Sequence, residues 1–275
     1  MPGKTTVATC QFPVVSDISA NLYAIKSQMM IAHAKGADVV HFSECSLSGY
    51  AGLDFNDIEE QDDGLLQDAF HTVKETALYY KLWTIVGSHH FEPGRDKPFN
   101  SLYLINPFGG LSGRYDKRLL TGGDGGWDQK YYIPGSEPVV FEINGILCGL
   151  LICHEWRYPE VYREYKRLGV ELVFQSWYDG NMTYREYQEN GKNLGEVIIG
   201  TVRGNAANNC MWISASNTSK KESCFPSFVV QPDGILVNKK RRNIPGVLIS
   251  RIDTERAFGD PSGHLRNDID KYINN

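Results

Sequence analysis

The sequence predicts an α/β protein with large mixed β-sheets covered by helices. Short apolar runs bounded by turn residues recur along all 275 residues. Stretches of helical period fall between some of these runs and not between others. The order is strand, helix, strand, helix, several strands, then helix, strand, a long helical stretch, and strands to the end. That alternation belongs to α/β architecture rather than to a helical bundle. A hydrophobic share of 41% against 22% charged residues provides a substantial core and excludes disorder as the main state.

The first run, 6–12, reads as a buried strand. A helix over 17–35 follows, opened by the cap-like Ser16-Asp17, with Leu22, Ile25, Met29 and Ala32 at helical spacing. Next come a strand over 38–42, a helix over 64–80, and strands over 82–88, 101–106, 139–143 and 146–153. Pro159 sits near the start of a helix over 159–168, where a missing N–H is tolerated. A strand over 171–176, a helix over 194–208, and strands over 210–215, 228–230, 235–238 and 247–252 complete the chain. No Pro-, Ser- or charge-rich linker divides it and no internal repeat is visible, so residues 1–275 are expected to form a single domain. The stretch Gly122-Gly123-Asp124-Gly125-Gly126 reads as a loop within a strand region, and Lys239-Lys240-Arg241-Arg242 as a solvated hairpin tip.

With 28 basic and 33 acidic residues the net charge is −5, which gives no general electrostatic reason to bind nucleic acid or an anionic membrane. No apolar run approaches the roughly 18–20 residues of a membrane span, and the first residues lack the apolar core of a signal peptide. Six scattered cysteines show no Cys-x-x-Cys and no paired zinc spacing. They read as thiols of a reducing compartment, so a cytoplasmic protein is expected. G-x-G-x-x-G, the phosphate-binding G-x-x-x-x-G-K-[ST] and G-x-S-x-G are all absent. His89 and His90 are neighbours on a strand and point to opposite faces, so they make a poor metal pair.

Three features place a reactive group where an apolar strand runs out, which is where ligand sites of α/β sheets lie. One is Val39-Val40-His41-Phe42-Ser43-Glu44, a carboxylate whose burial is expensive unless it is paired or used. Another is Arg114-Tyr115-Asp116-Lys117-Arg118-Leu119. The last is Leu150-Leu151-Ile152-Cys153-His154-Glu155-Trp156-Arg157-Tyr158-Pro159-Glu160, a strand ending at a thiol. If Cys153 and His154 are still extended, adjacent side chains diverge and His154 cannot serve as the base; Glu44 is the natural candidate. Singly, each feature has a bland reading as a surface acid, a solvated lysine or a buried thiol.

Together the three resemble the nitrilase, or carbon–nitrogen hydrolase, superfamily. Its Pro-Glu-x-x-x-x-Gly-Tyr is matched by Ser43-Glu44-Cys45-Ser46-Leu47-Ser48-Gly49-Tyr50, and its Tyr-Arg-Lys by Tyr115-Asp116-Lys117. Its Cys-Tyr-Asp-Leu-Arg-Phe-Pro-Glu is matched by Cys153 through Glu160. Ala8-Thr9-Cys10-Gln11-Phe12, Tyr132-Ile133-Pro134-Gly135, Arg203 through Asn209 and Pro226 through Gly234 resemble further family segments, so the likeness spans nearly the whole chain. One departure is Asp128, six residues before Pro134, where the family often has a second glutamate. The shorter side chain withdraws the carboxylate by roughly 1.5 Å.

The resemblance implies an αββα sandwich with two mixed sheets, assembled as a homodimer or larger homo-oligomer. It implies hydrolysis of a small amide or N-carbamoyl substrate through a Cys153 thioester. Glu44 would act as base and acid, Lys117 would stabilise the oxyanion with the His154 N–H, and no metal or organic cofactor is required. Asp128 is the expected auxiliary carboxylate, within hydrogen-bond reach of Lys117 or the substrate. Tyr50, His154, Arg157 and Trp177 are the expected substrate contacts. In family members an arginine at the position of Arg157 can take a substrate carboxylate; alternatively Arg157 pairs with Glu155 or Glu160, or Glu155, Asp128 and Asp179 favour a cationic amine. A nitrile hydrolase and a non-catalytic binding or scaffold member are the rival readings.

Overall fold

The computed structural model of the protein describes residues 3–122, 125–180 and 182–258. Gly123 and Asp124 of the glycine-rich stretch, and the last part of the expected 1–275 domain, lie outside the described residues. The chain forms two six-stranded mixed sheets. The first contains β1 (Lys4–Gln11), β2 (Val39–His41), β3 (Trp83–His90), β4 (Phe99–Ile105), β5 (Leu111–Asp116) and β12 (Gly246–Asp253), in the order β12-β1-β2-β3-β4-β5. The second contains β6 (Val140–Ile143), β7 (Ile146–Ile152), β8 (Leu172–Ser176), β9 (Trp212–Ser216), β10 (Phe228–Val230) and β11 (Leu236–Lys239), in the order β11-β10-β9-β8-β7-β6.

Helices α1 (Ile18–Ala34) and α2 (Asp63–Tyr80) belong to the first half of the chain. α3 (Pro159–Arg167), a short α4 (Tyr184–Glu186) and α5 (Lys192–Asn209) belong to the second. A π-helical turn, Tyr187–Gly191, joins α4 to α5. Asp17 caps α1 by accepting from the Ser19 and Ala20 amides, and Asp62 caps α2 through the Leu65 amide.

Period-two alternation distributes the strand residues between two cores. Val7, Val39, Ile85 and Leu104 face the second sheet, whereas Ala8, Val40, Val86 and Ile105 pack under α1 and α2. A polar seam runs between the sheets: Thr9 Oγ1 lies 2.8 Å from Ser214 Oγ, and His41 bridges Ser214 Oγ at 2.9 Å and Ser176 Oγ at 3.0 Å. Burial pushes the His41 pKa down to about 3, so the ring is neutral and trades both nitrogens with hydroxyls.

Both sheets use the same pairing pattern. β1-β2-β3 and β7-β8-β9 are parallel, each extended by two antiparallel strands, and β12 and β6 close the other edges. The topology therefore repeats although no sequence repeat is visible, because buried strands constrain residue class and not identity. Two elements escape the sequence pattern. β5 is an edge strand whose Leu111 and Ser112 are exposed, so it lacks an apolar run. The turn at 184–191 has no apolar stripe. Cys210, expected in a strand, instead ends α5 in the left-handed region at φ 47°. Arg242 is not a free hairpin cation: it donates to Ser223 O at 2.8 Å and lies 3.8 Å over the Tyr187 ring.

Candidate active site

Glu44, Lys117 and Cys153 come from three strand ends: past β2, past β5 and past β7. Glu44 is fully buried in a turn pressed against β3. A Cβ on Gly87 would come within 2.5 Å of both Ser43 O and Cys45 N, so only glycine allows that approach. Glu44 Oε1 accepts from Asn100 Nδ2 at 2.8 Å and from Lys117 Nζ at 3.0 Å, while Oε2 has no partner among the described residues. The Glu44 amide donates to Trp177 O at 3.2 Å, which joins this turn to the end of β8.

Lys117 is also fully buried. Its Nζ donates to Asp128 Oδ2 at 2.7 Å, Thr121 Oγ1 at 3.2 Å and Tyr50 OH at 3.4 Å, besides Glu44. Asp128 is buried too: Oδ2 accepts the Thr121 amide at 2.8 Å and Oδ1 the Tyr50 hydroxyl at 2.7 Å. The loop therefore carries its carboxylate up to the ammonium despite the shorter side chain.

The two carboxyls titrate in opposite directions. Burial pushes Glu44 up, and the Asp128 charge adds to it against the pull of Lys117, so Glu44 lies above the usual range. Burial would also raise Asp128, but the Lys117 ammonium and the Tyr50 and Thr121 donors outweigh it and hold Asp128 below the usual range. Burial opposes the Lys117 charge, yet Glu44 and Asp128 keep its pKa well above the ordinary lysine value.

Cys153 opens a 3₁₀ turn, Cys153–Arg157, with φ 38°, a left-handed conformation that a non-glycine residue holds only when its surroundings fix it. The strand thus stops at Ile152, and Cys153 and His154 are not an extended pair. Burial raises the Cys153 thiol well above its ordinary pKa, with the Glu44 charge adding and Lys117 opposing. At rest it is a thiol, and a base must take its proton before it attacks.

Glu155 fixes this turn. Its buried Oε2 accepts the Ile152 amide at 2.7 Å. Its Oε1 accepts Tyr115 OH at 2.7 Å and the amides of Arg118 at 2.9 Å and Leu119 at 3.3 Å. One carboxylate therefore ties the backbone just before Cys153 to the backbone just after Lys117. It is neither a pocket acid nor a partner of Arg157.

Cys153 lines a cavity of about 370 Å³ with Tyr50, Asp128, His154, Arg157, Trp177 and Asp179. Trp177 is buried against Phe225 and Trp156. His154 Nε2 lies 3.4 Å from Tyr158 OH, and burial together with Lys117 and Arg157 lowers its pKa. Arg157 is exposed, with its guanidinium 4.5 Å over the Trp156 ring, and pairs with neither Glu155 nor Glu160 among the described residues. Every sequence-predicted site residue is thus at this cavity or, for Glu44 and Lys117, bonded to a residue lining it. Asn100 and Thr121 were missed and carried no signal; Tyr115 appeared only as part of the lysine motif, and Glu155 only as a pocket acid or a partner of Arg157. Among the described residues no three His, Cys, Asp or Glu side chains form a metal-binding group, and no helix is long and apolar enough to cross a membrane.

Two mixed sheets with a carboxyl, an ammonium and a thiol gathered at their strand ends define an α/β sandwich enzyme. The carbon-nitrogen hydrolase family model matches residues 6–258, and the chain belongs to that family, whose members act on C–N bonds other than peptide bonds. N-carbamoylputrescine amidase of Solanum lycopersicum is 24% identical over 274 residues, covering 91% of this chain and 87% of the relative. Its Arabidopsis thaliana counterpart is 24% identical over 269 residues, covering 92% and 87%. A mutant amidase of the nitrilase superfamily from Nesterenkonia superposes with a TM-score of 0.78 at 19% identity, covering 100% of this chain and 98% of that one. Another mutant of that amidase, at TM-score 0.76 and 19% identity over 96% and 97%, carries the acetamide moiety of fluoroacetamide covalently at its active-site cysteine.

Proposed function

We propose that the protein hydrolyses a small amide or N-carbamoyl compound through a thioester on Cys153. The observation that carries this reading is the unpartnered Glu44 Oε2 in a buried cluster with Lys117, whose charges both act on the Cys153 thiol. Glu44 Oε2 takes the thiol proton and the sulfur attacks the carbonyl carbon. The oxyanion is held by the third Lys117 N–H, shared at rest between the two long contacts to Thr121 and Tyr50, and by the His154 backbone N–H. As the intermediate collapses, the C–N bond breaks and Glu44 gives its proton to the leaving ammonia or amine. Water then loses a proton to Glu44 and adds to the thioester. The C–S bond breaks, and the proton returns to sulfur, releasing the acid.

In this reading Asp128 keeps Lys117 charged and in place, and Tyr50, His154, Arg157 and Trp177 contact the substrate. The amidase names of the relatives and the cysteine adduct of the Nesterenkonia enzyme support the chemistry. We extend the proposal to one catalytic domain over residues 1–275 in a cytoplasmic homo-oligomer. The six unpaired cysteines support a reducing compartment, and light scattering of the purified protein tests the assembly. The function is tested by ammonia release from paired amides, N-carbamoyl compounds and nitriles, with Cys153→Ala as control. Release from amides or carbamoyl compounds that disappears in the control is expected. Release from nitriles alone, or an unaffected control, refutes the reading.

A further inference from the structure

Asp179 follows Trp177 and Tyr178 past the end of β8, and all three line the cavity. Its place is fixed from two sides. Oδ2 accepts the Cys224 amide at 2.5 Å and Ser223 Oγ at 3.3 Å, and its own amide donates to Asn217 Oδ1 at 3.0 Å. Among the described residues no lysine, arginine or histidine pairs with it. Lys220 is committed to Asp54 at 2.6 Å and to Tyr178 OH at 2.8 Å.

The cavity interior is consequently richer in carboxyls than in cations. Lys117 is shared by Glu44 and Asp128, and among the described residues Asp179 has no ion-pair partner. The remaining cation, Arg157, is exposed at the rim over Trp156, where water screens it. Trp127, Trp156, Tyr178 and Phe225 add aromatic side chains to the lining, beside the aliphatic Leu53, Leu194 and Ile198. A partly buried carboxylate among aromatic rings suits an alkylammonium, which gains an ion pair and ring contacts together.

Resting on the site proposed above, we infer that Asp179 receives a cationic amine on the substrate, so that the substrate class is ω-ammonio amides or their N-carbamoyl equivalents. Asp179 is then a specificity-determining residue and takes no part in bond breaking.

Binding to the Cys153→Ala protein, measured by calorimetry at neutral pH, tests this without requiring turnover. The probes are 5-aminopentanamide, its uncharged isostere hexanamide, and the anionic monoamide of glutaric acid. The cationic amide is expected to bind at least about tenfold more tightly than hexanamide, with the anion weakest. Adding Asp179→Asn, which keeps an acceptor oxygen for Ser223 and Cys224, should bring the cation-to-neutral ratio close to one. Equal binding of the first two probes, tighter binding of the anion, no binding of any probe, or an unchanged ratio in Asp179→Asn overturns the inference. Loss of amide turnover in the wild-type assay would instead refute the thioester reading and leave this binding comparison standing.

Discussion

Replacing Glu155 by glutamine exchanges one acceptor oxygen for a donating NH₂ in a place where four donors converge. The better orientation keeps the amide oxygen at the Oε1 position, where it still serves Tyr115, Arg118 and Leu119. The NH₂ then faces the Ile152 N–H, leaving two buried donors unsatisfied. At about 1–3 kcal/mol for each buried unsatisfied group, the loss is about 2–6 kcal/mol. For a chain of this size that corresponds to a Tm lower by roughly 5–15 °C. The two backbone segments that Glu155 joins carry Cys153 and Lys117, so their spacing also relaxes, and a displacement near 1 Å lowers kcat on the order of 10²-fold. Differential scanning calorimetry and steady-state kinetics on Glu155→Gln measure both effects. A lowered Tm with full kcat would refute the positioning argument, and wild-type values of both would refute the whole account of this residue.

Two further substitutions read the electrostatics. The negative charge of Asp128 raises the Glu44 pKa, so Asp128→Asn should lower it and move the acid limb of the kcat/KM profile to lower pH. An unmoved limb separates Asp128 from the Glu44 equilibrium. Lys117→Met leaves two buried carboxyls without their cation. Turnover should fall by ~10²–10³, and stability at neutral pH by about 3–5 kcal/mol. Both carboxyls then have raised folded pKa values and bind protons more tightly than the unfolded chain. The stability deficit should therefore grow as pH rises above about 4 and shrink in acid. Denaturant titrations at several pH values check this, and a pH-independent deficit would contradict it.

Much of the site was legible in the sequence because Glu44 and Cys153 each end a strand whose apolar run is itself the signal. Val39-Val40 before Glu44 and Leu150-Leu151-Ile152 before Cys153 mark buried strands, and a polar side chain at their ends must face a partner or a cavity. Lys117 was harder to place, since β5 is an exposed edge strand without such a run, and only its motif context singled it out. What sequence spacing could not supply is convergence between distant segments. Asn100 reaches Glu44 across 56 residues and Glu155 reaches Arg118 across 37, through side chains that local pattern reads as ordinary polar residues. The same holds for Asp128: its neighbours Trp127 and Gln129 suggest a loop acid, whereas its burial follows from where the loop folds back. The turn at Cys153 was not legible, because φ 38° is a property of the turn and leaves no trace in an uninterrupted apolar strand.

The claim that matters most is that Cys153 carries the acyl group during turnover. Acid-quenching the wild-type protein during amide turnover, followed by intact mass measurement and peptide mapping, tests it directly. The account predicts a mass gain equal to the acyl group, located on Cys153, absent from Cys153→Ala and lost again as the substrate is exhausted. Steady ammonia release with no adduct at any quench time and undiminished turnover by Cys153→Ala, or an adduct on another residue, would contradict it.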